Sequence, residues 1–186
     1  FPTRRSSDLF RNNLEDIAAD ALRDYYRVLR PSDTSRIDPQ SLSERVLGIG
    51  IVHQKLSLNG DILGMTAPFP MDVKVWHGEE TASFTLDGHS ILIDTDLYLS
   101  EAGSGRYNYT LAHEIGHQLL FMAFPQEYDP LILRRTTKAH YRKCENGQKI
   151  TDWEEWYANT LASLILMPKV LVMKCLREFG LPTHIH

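Results

Sequence analysis

The run His113-Glu114-Ile115-Gly116-His117 constrains this chain more than any other feature. Helical spacing of apolar residues predicts one continuous helix around it, from about Tyr107 to Ala123, ended by Phe124-Pro125. Side chains four apart on a helix share a face, one turn from each other. His113 and His117 therefore project together, at a separation that suits one tetrahedral metal ion such as Zn2+. Glu114 points into the same cleft off the metal axis, so it can reach a water at the metal without being a ligand, as a general base must. Gly116 costs a helix about 1 kcal/mol relative to alanine. A helix with a purely structural role has little reason to carry it, so Gly116 predicts the close approach of another backbone, a strand or a second helix.

Two histidines leave a metal site incomplete, and a third ligand has to come from elsewhere. A histidine three residues past a glycine, as in the metzincin pattern, is excluded because Leu120 and Ala123 stand at the relevant positions. A second helix from about Asp152 to Met167 offers Trp153-Glu154-Glu155-Trp156-Tyr157-Ala158-Asn159. Glu155 and Asn159 are four apart, so Glu155 can ligate while the Asn159 amide oxygen accepts from the outer N–H of a ligand histidine. Glu154 points about a quarter-turn away and reads as a solvated carboxylate in the first turn, near the helix dipole. Glu127, His140, Cys144 and Glu145 rank below Glu155 because they sit in the loop-rich stretch 126–149. His140, Tyr141, Tyr157 and Arg106 are candidates by residue type to stabilise charge on a reacting carbonyl oxygen.

The rest of the chain reads as one α+β domain over residues 9–182, behind a tail, residues 1–8, without periodicity. Apolar residues at helical spacing from Leu9 to Leu29 predict an amphipathic helix stopped before Pro31. Asp38-Pro39, then Leu42, Val46 and Leu47, then Gly48, predict a short helix with cap, first-turn proline and left-handed stop. Ile49 to Leu58 and Ile62 to Thr66 flank Asn59-Gly60, a hairpin signature, and Val73 to Trp76 is a further strand. Ser83 to Leu86 and Ser90 to Ile93 flank Asp87-Gly88 as a second hairpin. The expected architecture is a small, largely antiparallel sheet with an active-site helix and further C-terminal helices, the last from Pro168 to Phe179. Ser90 to Ile93 is a candidate edge strand for an extended peptide. His184 and His186 read as surface histidines.

Composition narrows the partners. Hydrophobic residues make up 42% and charged residues 24%, as in a globular protein, and the net charge of −4 argues against an electrostatic grip on nucleic acid. No run approaches the ~18 apolar residues that cross a bilayer. The two cysteines, Cys144 and Cys175, form neither a CxxC pair nor a disulfide framework. Cytoplasmic placement, without membrane or nucleic-acid contact, is the expectation.

Tyr109-Thr110-Leu111-Ala112-His113-Glu114-Ile115-Gly116-His117 resembles the F-T-L-A-H-E-L-G-H core of the ImmA/IrrE metallopeptidases. Ala158-Asn159-Thr160-Leu161-Ala162-Ser163-Leu164-Ile165-Leu166-Met167-Pro168 resembles the family's second signature, roughly E-x-x-A-N-x-F-A-A-x-L-L-M-P. In that register Glu155 falls on the leading glutamate, the family's third zinc ligand. Ile91-Leu92-Ile93-Asp94 and Gly60-Asp61-Ile62-Leu63-Gly64-Met65-Thr66 fit the pattern too. Asn108 stands where the family has arginine, and Leu161 and Ser163 replace its Phe and Ala. The resemblance implies a gluzincin-like, zincin-type fold and a zinc endopeptidase with His113, His117 and Glu155 on the metal and Glu114 as base. Its implied substrate is a regulatory protein, a helix-turn-helix repressor carried on a separate chain. Two other readings stand beside it. One is a non-catalytic zinc module that antagonises its partner by contact, with Cys144 or His140 closing the site. The other is a metal-free structural protein.

Overall fold

The computed structural model describes residues 4–30, 36–128 and 153–180. Helix α1 (Arg4–Leu29) starts five residues before the expected Leu9. Its Leu14, Ala18, Ala21 and Tyr25 are buried along one stripe, as the spacing predicts. A short helix α2 (Pro39–Ser41) follows, and it continues as a π-helical segment, Leu42–Leu47. Asp38 caps α2 by accepting from the backbone N–H groups of Gln40 and Ser41, and Gly48 ends the segment at φ 69°. The Asp38 N–H donates to the Tyr25 hydroxyl at 3.1 Å, which ties this turn to α1.

Five strands come next: β1 (Gly50–Gln54), β2 (Gly64–Thr66), β3 (Met71–His77), β4 (Glu80–Leu86) and β5 (Ser90–Asp94). They form a three-stranded sheet in the order β1-β5-β2 and a separate β3–β4 hairpin. Neither expected hairpin forms as written. β1 pairs parallel with β5, Gly50 opposite Ser90, and β2 pairs antiparallel with β5, Thr66 opposite Ile91. Gly60 does turn the chain at φ 74°, yet the returning strand lands on the far side of β5. The physical reason lies in β5, where Ile91, Leu92 and Ile93 are consecutive and fully buried. A continuous apolar run suits a central strand with neighbours on both edges. Ser90 to Ile93 is therefore not an edge. β4 instead pairs with β3 across Gly78, at φ 65°, and Asp87-Gly88 is only a bend.

Asp94 closes the sheet. It is 1% exposed, accepts from the Leu56 N–H at 2.8 Å and faces Lys55 Nζ. It also caps α3 (Thr95–Glu101), a helix the sequence pattern did not suggest, by accepting from the Asp96 N–H. Ser104 then caps α4 (Gly105–Ala123), which has buried residues on nearly every side. Gln118 pins α4 to the sheet, donating to Thr66 Oγ1 at 2.6 Å and to the Ala67 carbonyl at 3.1 Å. Helix α5 (Trp153–Leu166) lays Ala158, Leu161, Ala162 and Ile165 into the core beside α4, and α6 (Lys169–Glu178) follows Pro168. The result is an α+β arrangement of a small sheet with several helices. Among the described residues no single helix is long and apolar enough to cross a membrane.

Candidate metal centre

The centre forms where α4 and α5 touch. A Cβ placed on Gly116 would lie 2.8 Å from the carbonyl oxygen of Ala158 and 3.1 Å from its Cα. Only a glycine admits α5 this closely, and the approaching backbone is the second helix. Ala158 sits one turn from Glu155, so this contact sets the height at which the Glu155 carboxylate meets the two histidines.

His113, His117 and Glu155 form a group that could hold a metal ion, with one ligand atom from each within 4.8 Å of the others. The Nε2 atoms of His113 and His117 are 3.1 Å apart. Glu155 Oε2 lies 3.2 Å from His113 Nε2, and Oε1 lies 3.4 Å from His117 Nε2. A tetrahedral site with bonds of about 2.0–2.1 Å has edges of about 3.3–3.4 Å, so these spacings fit a first-row divalent ion.

Donor chemistry agrees with the spacing. His113 Nδ1 meets Asn159 Oδ1 at 3.0 Å. That oxygen also accepts from the Tyr109 hydroxyl at 2.8 Å. An amide oxygen can only accept, so a proton belongs on His113 Nδ1, and in the neutral ring the Nε2 lone pair is left for an ion. His117 Nδ1 faces Glu154 Oε1 at 3.3 Å, again an acceptor. Two imidazole lone pairs and a carboxylate at these distances repel unless a cation, either a proton or a metal ion, lies among them. Ionisation in the metal-free protein follows suit. Burial pulls the His117 imidazole down, but the hydrogen bonds to Glu154 and Glu155 outweigh it and push it up to about 10. Hydrogen bonds from His113 and His117 hold Glu155 far below the usual carboxylate range.

Glu114 stands beside this group and is 7% exposed. Burial pushes its carboxyl up to about 7, against the pull of His117 and His113. β2 crowds it from the sheet side, since a Cβ on Gly64 would lie 2.7 Å from Glu114 Oε1. Gly64 is thus a site residue, although it drew notice in the sequence only through a family resemblance. Glu154 is the clearer omission. It is no merely solvated first-turn carboxylate, because it engages His117; the available signal was a second acid next to the ligand on the same turn.

Of the remaining candidates, Glu127 lies on an exposed turn and Arg106 on the exposed first turn of α4. Tyr157 belongs to the buried core. His140, Tyr141, Cys144 and Glu145 lie outside the described residues, as does most of the 126–149 stretch. Cys175 is a free, exposed thiol. No family model, no curated protein and no solved structure matches this chain.

Proposed function

We propose that the chain is a zinc-dependent endopeptidase of zincin-like fold, acting in the cytoplasm on a regulatory protein such as a separate helix-turn-helix repressor. The observation that carries this reading is a buried glutamate, Glu114, beside three converging metal donors. The substrate class rests on the resemblance of the two signatures to ImmA/IrrE metallopeptidases.

Zinc bound by His113, His117 and Glu155 would lower the pKa of an attacking water towards ~7 and polarise the scissile carbonyl. Glu114 takes the proton from that water and returns it to the departing amine nitrogen. Burial, which favours the protonated form of this carboxyl, suits it to both. Asn159 keeps the His113 imidazole oriented. An extended peptide would add to β2, which pairs with β5 on one side and has no strand on its other side among the described residues. Gly64 in that strand lies against Glu114, which brings such a peptide to the base.

The test pairs metal analysis with cleavage of a panel of purified helix-turn-helix repressors, read by mass spectrometry. One zinc per chain and a site-specific cut are expected. Glu114→Gln should keep the zinc and lose cleavage by about 10²–10⁴-fold, the usual worth of a general base. Equal cutting by both proteins would remove Glu114 from the mechanism. Equal antagonism of a repressor without any cut would favour the contact-only module.

A further inference from the structure

We propose that Glu154 is a positioning residue for the metal centre, holding His117 by Nδ1 so that Nε2 is presented to the ion shared with His113 and Glu155. The inference rests on the metal-site reading above and extends it to a residue that touches neither ion nor substrate.

The outer nitrogens of the two histidines meet different acceptors. His113 Nδ1 faces a neutral amide oxygen, Asn159 Oδ1, whereas His117 Nδ1 faces a carboxylate oxygen of Glu154 at 3.3 Å. Neighbouring residues on a helix diverge by about 100°. Glu154 and Glu155 therefore reach opposite sides of one ring, Glu155 Oε1 at Nε2 and Glu154 Oε1 at Nδ1. Turning the imidazole over would put carbon atoms at both contacts, so the pair fixes its orientation. An acceptor-only group at Nδ1 keeps the proton there and leaves the Nε2 lone pair for the metal. The charge on that acceptor also makes the imidazole a stronger donor than an amide partner would. Glu154 is 37% exposed, and its placement against a ring that is only 10% exposed is what calls for explanation.

The test measures zinc affinity of the full chain by competition with a chromophoric chelator, for the parent protein, Glu154→Ala and Glu154→Gln. Loss of the outer partner should weaken zinc binding by about 10–100-fold in Glu154→Ala. Glu154→Gln keeps an acceptor without the charge and should lose only about threefold to tenfold. In spectra of the imidazole nitrogens of the zinc-loaded protein, the downfield His117 Nδ1–H signal should survive in Glu154→Gln and vanish in Glu154→Ala, with the His113 signal unchanged in both. Parent-like affinity in both variants, or an unchanged His117 signal in Glu154→Ala, would overturn the assignment. If Glu154→Ala fails to fold, the glutamine variant decides alone, by a loss or by its absence. Failure of the parent protein itself to bind zinc would instead defeat the underlying metal-site reading.

Discussion

The β3–β4 hairpin and the seam between α4 and α5 each cover buried residues, but by opposite means. Beneath the hairpin, Leu56, Ala67, Val73, Val75, Leu86 and Leu92 make an apolar cluster. Along α4 the buried residues include Glu114, His117 and Gln118 among Leu111, Ile115 and Leu119, and a glycine replaces any side chain at the closest approach. Apolar burial stabilises whatever the register of atoms, roughly in proportion to area. A buried carboxylate and imidazole stabilise only when their partners are in place. The hairpin region therefore carries stability alone, while the seam, which has apolar contacts of its own through Leu111, Ile115, Leu161 and Ile165, gives up part of its stability for an arrangement of donors.

Leu86→Ala should break the first half of that comparison with the largest effect on folding. Leu86 is fully buried, and truncating such a leucine costs about 2–5 kcal/mol. Zinc affinity of the protein that remains folded should be unchanged; a parallel drop in affinity would show that the two regions are one cooperative site. Gly116→Ala should behave differently. Alanine gains helix propensity of about 1 kcal/mol but must displace the Ala158 backbone, an overpacking cost of about 1–3 kcal/mol. The net change in thermal stability should be small or unfavourable. Zinc affinity should fall regardless, because α5 carries Glu155 away with it. Unaltered affinity in Gly116→Ala would mean that the seam tolerates slack.

What could be read in advance divides along the same line. The stop at Gly48, the cap at Asp38, the reach of α4, the face shared by His113 and His117 and the face shared by Glu155 and Asn159 each depend on residues within a few positions of each other. Local spacing exposes these. The pairing of β1 with β5 joins Ile51 to Ile91 and is settled by which strand most needs two neighbours. A turn signal at Asn59-Gly60 says that the chain reverses, but not onto which strand. The contact of Glu154 with His117 is hidden for a related reason: it arises only when a ring from another helix comes between Glu154 and Glu155. α3 escaped notice because its cap, Asp94, is the last residue of a strand.

A pH dependence sharpens the comparison most. In the metal-free protein Glu114 binds its proton up to about pH 7 when folded, against 4.5 for the ordinary group. His117 does so up to about pH 10, against 6.5. Over both windows the folded state holds a proton that the unfolded chain has released, so stability must fall as pH rises. Glu155 acts in the opposite sense: its carboxylate is favoured in the fold, a contribution lost only on acidification. Stability of the metal-free protein should therefore peak in mild acid and decline towards alkaline pH. Glu114 should account for a change on the order of 2 kcal/mol between about pH 5 and 7. Glu114→Gln should flatten that part of the melting-temperature profile and leave the decline above it. Leu86→Ala should lower the whole profile without changing its shape, since no ionisable side chain belongs to its cluster. Zinc uptake should release protons from His117, so that its stabilising effect grows with pH through the same range. A metal-free melting temperature that climbs from pH 5 to pH 9, or one unaffected in slope by Glu114→Gln, would mean that the seam is not where the fold gives up stability.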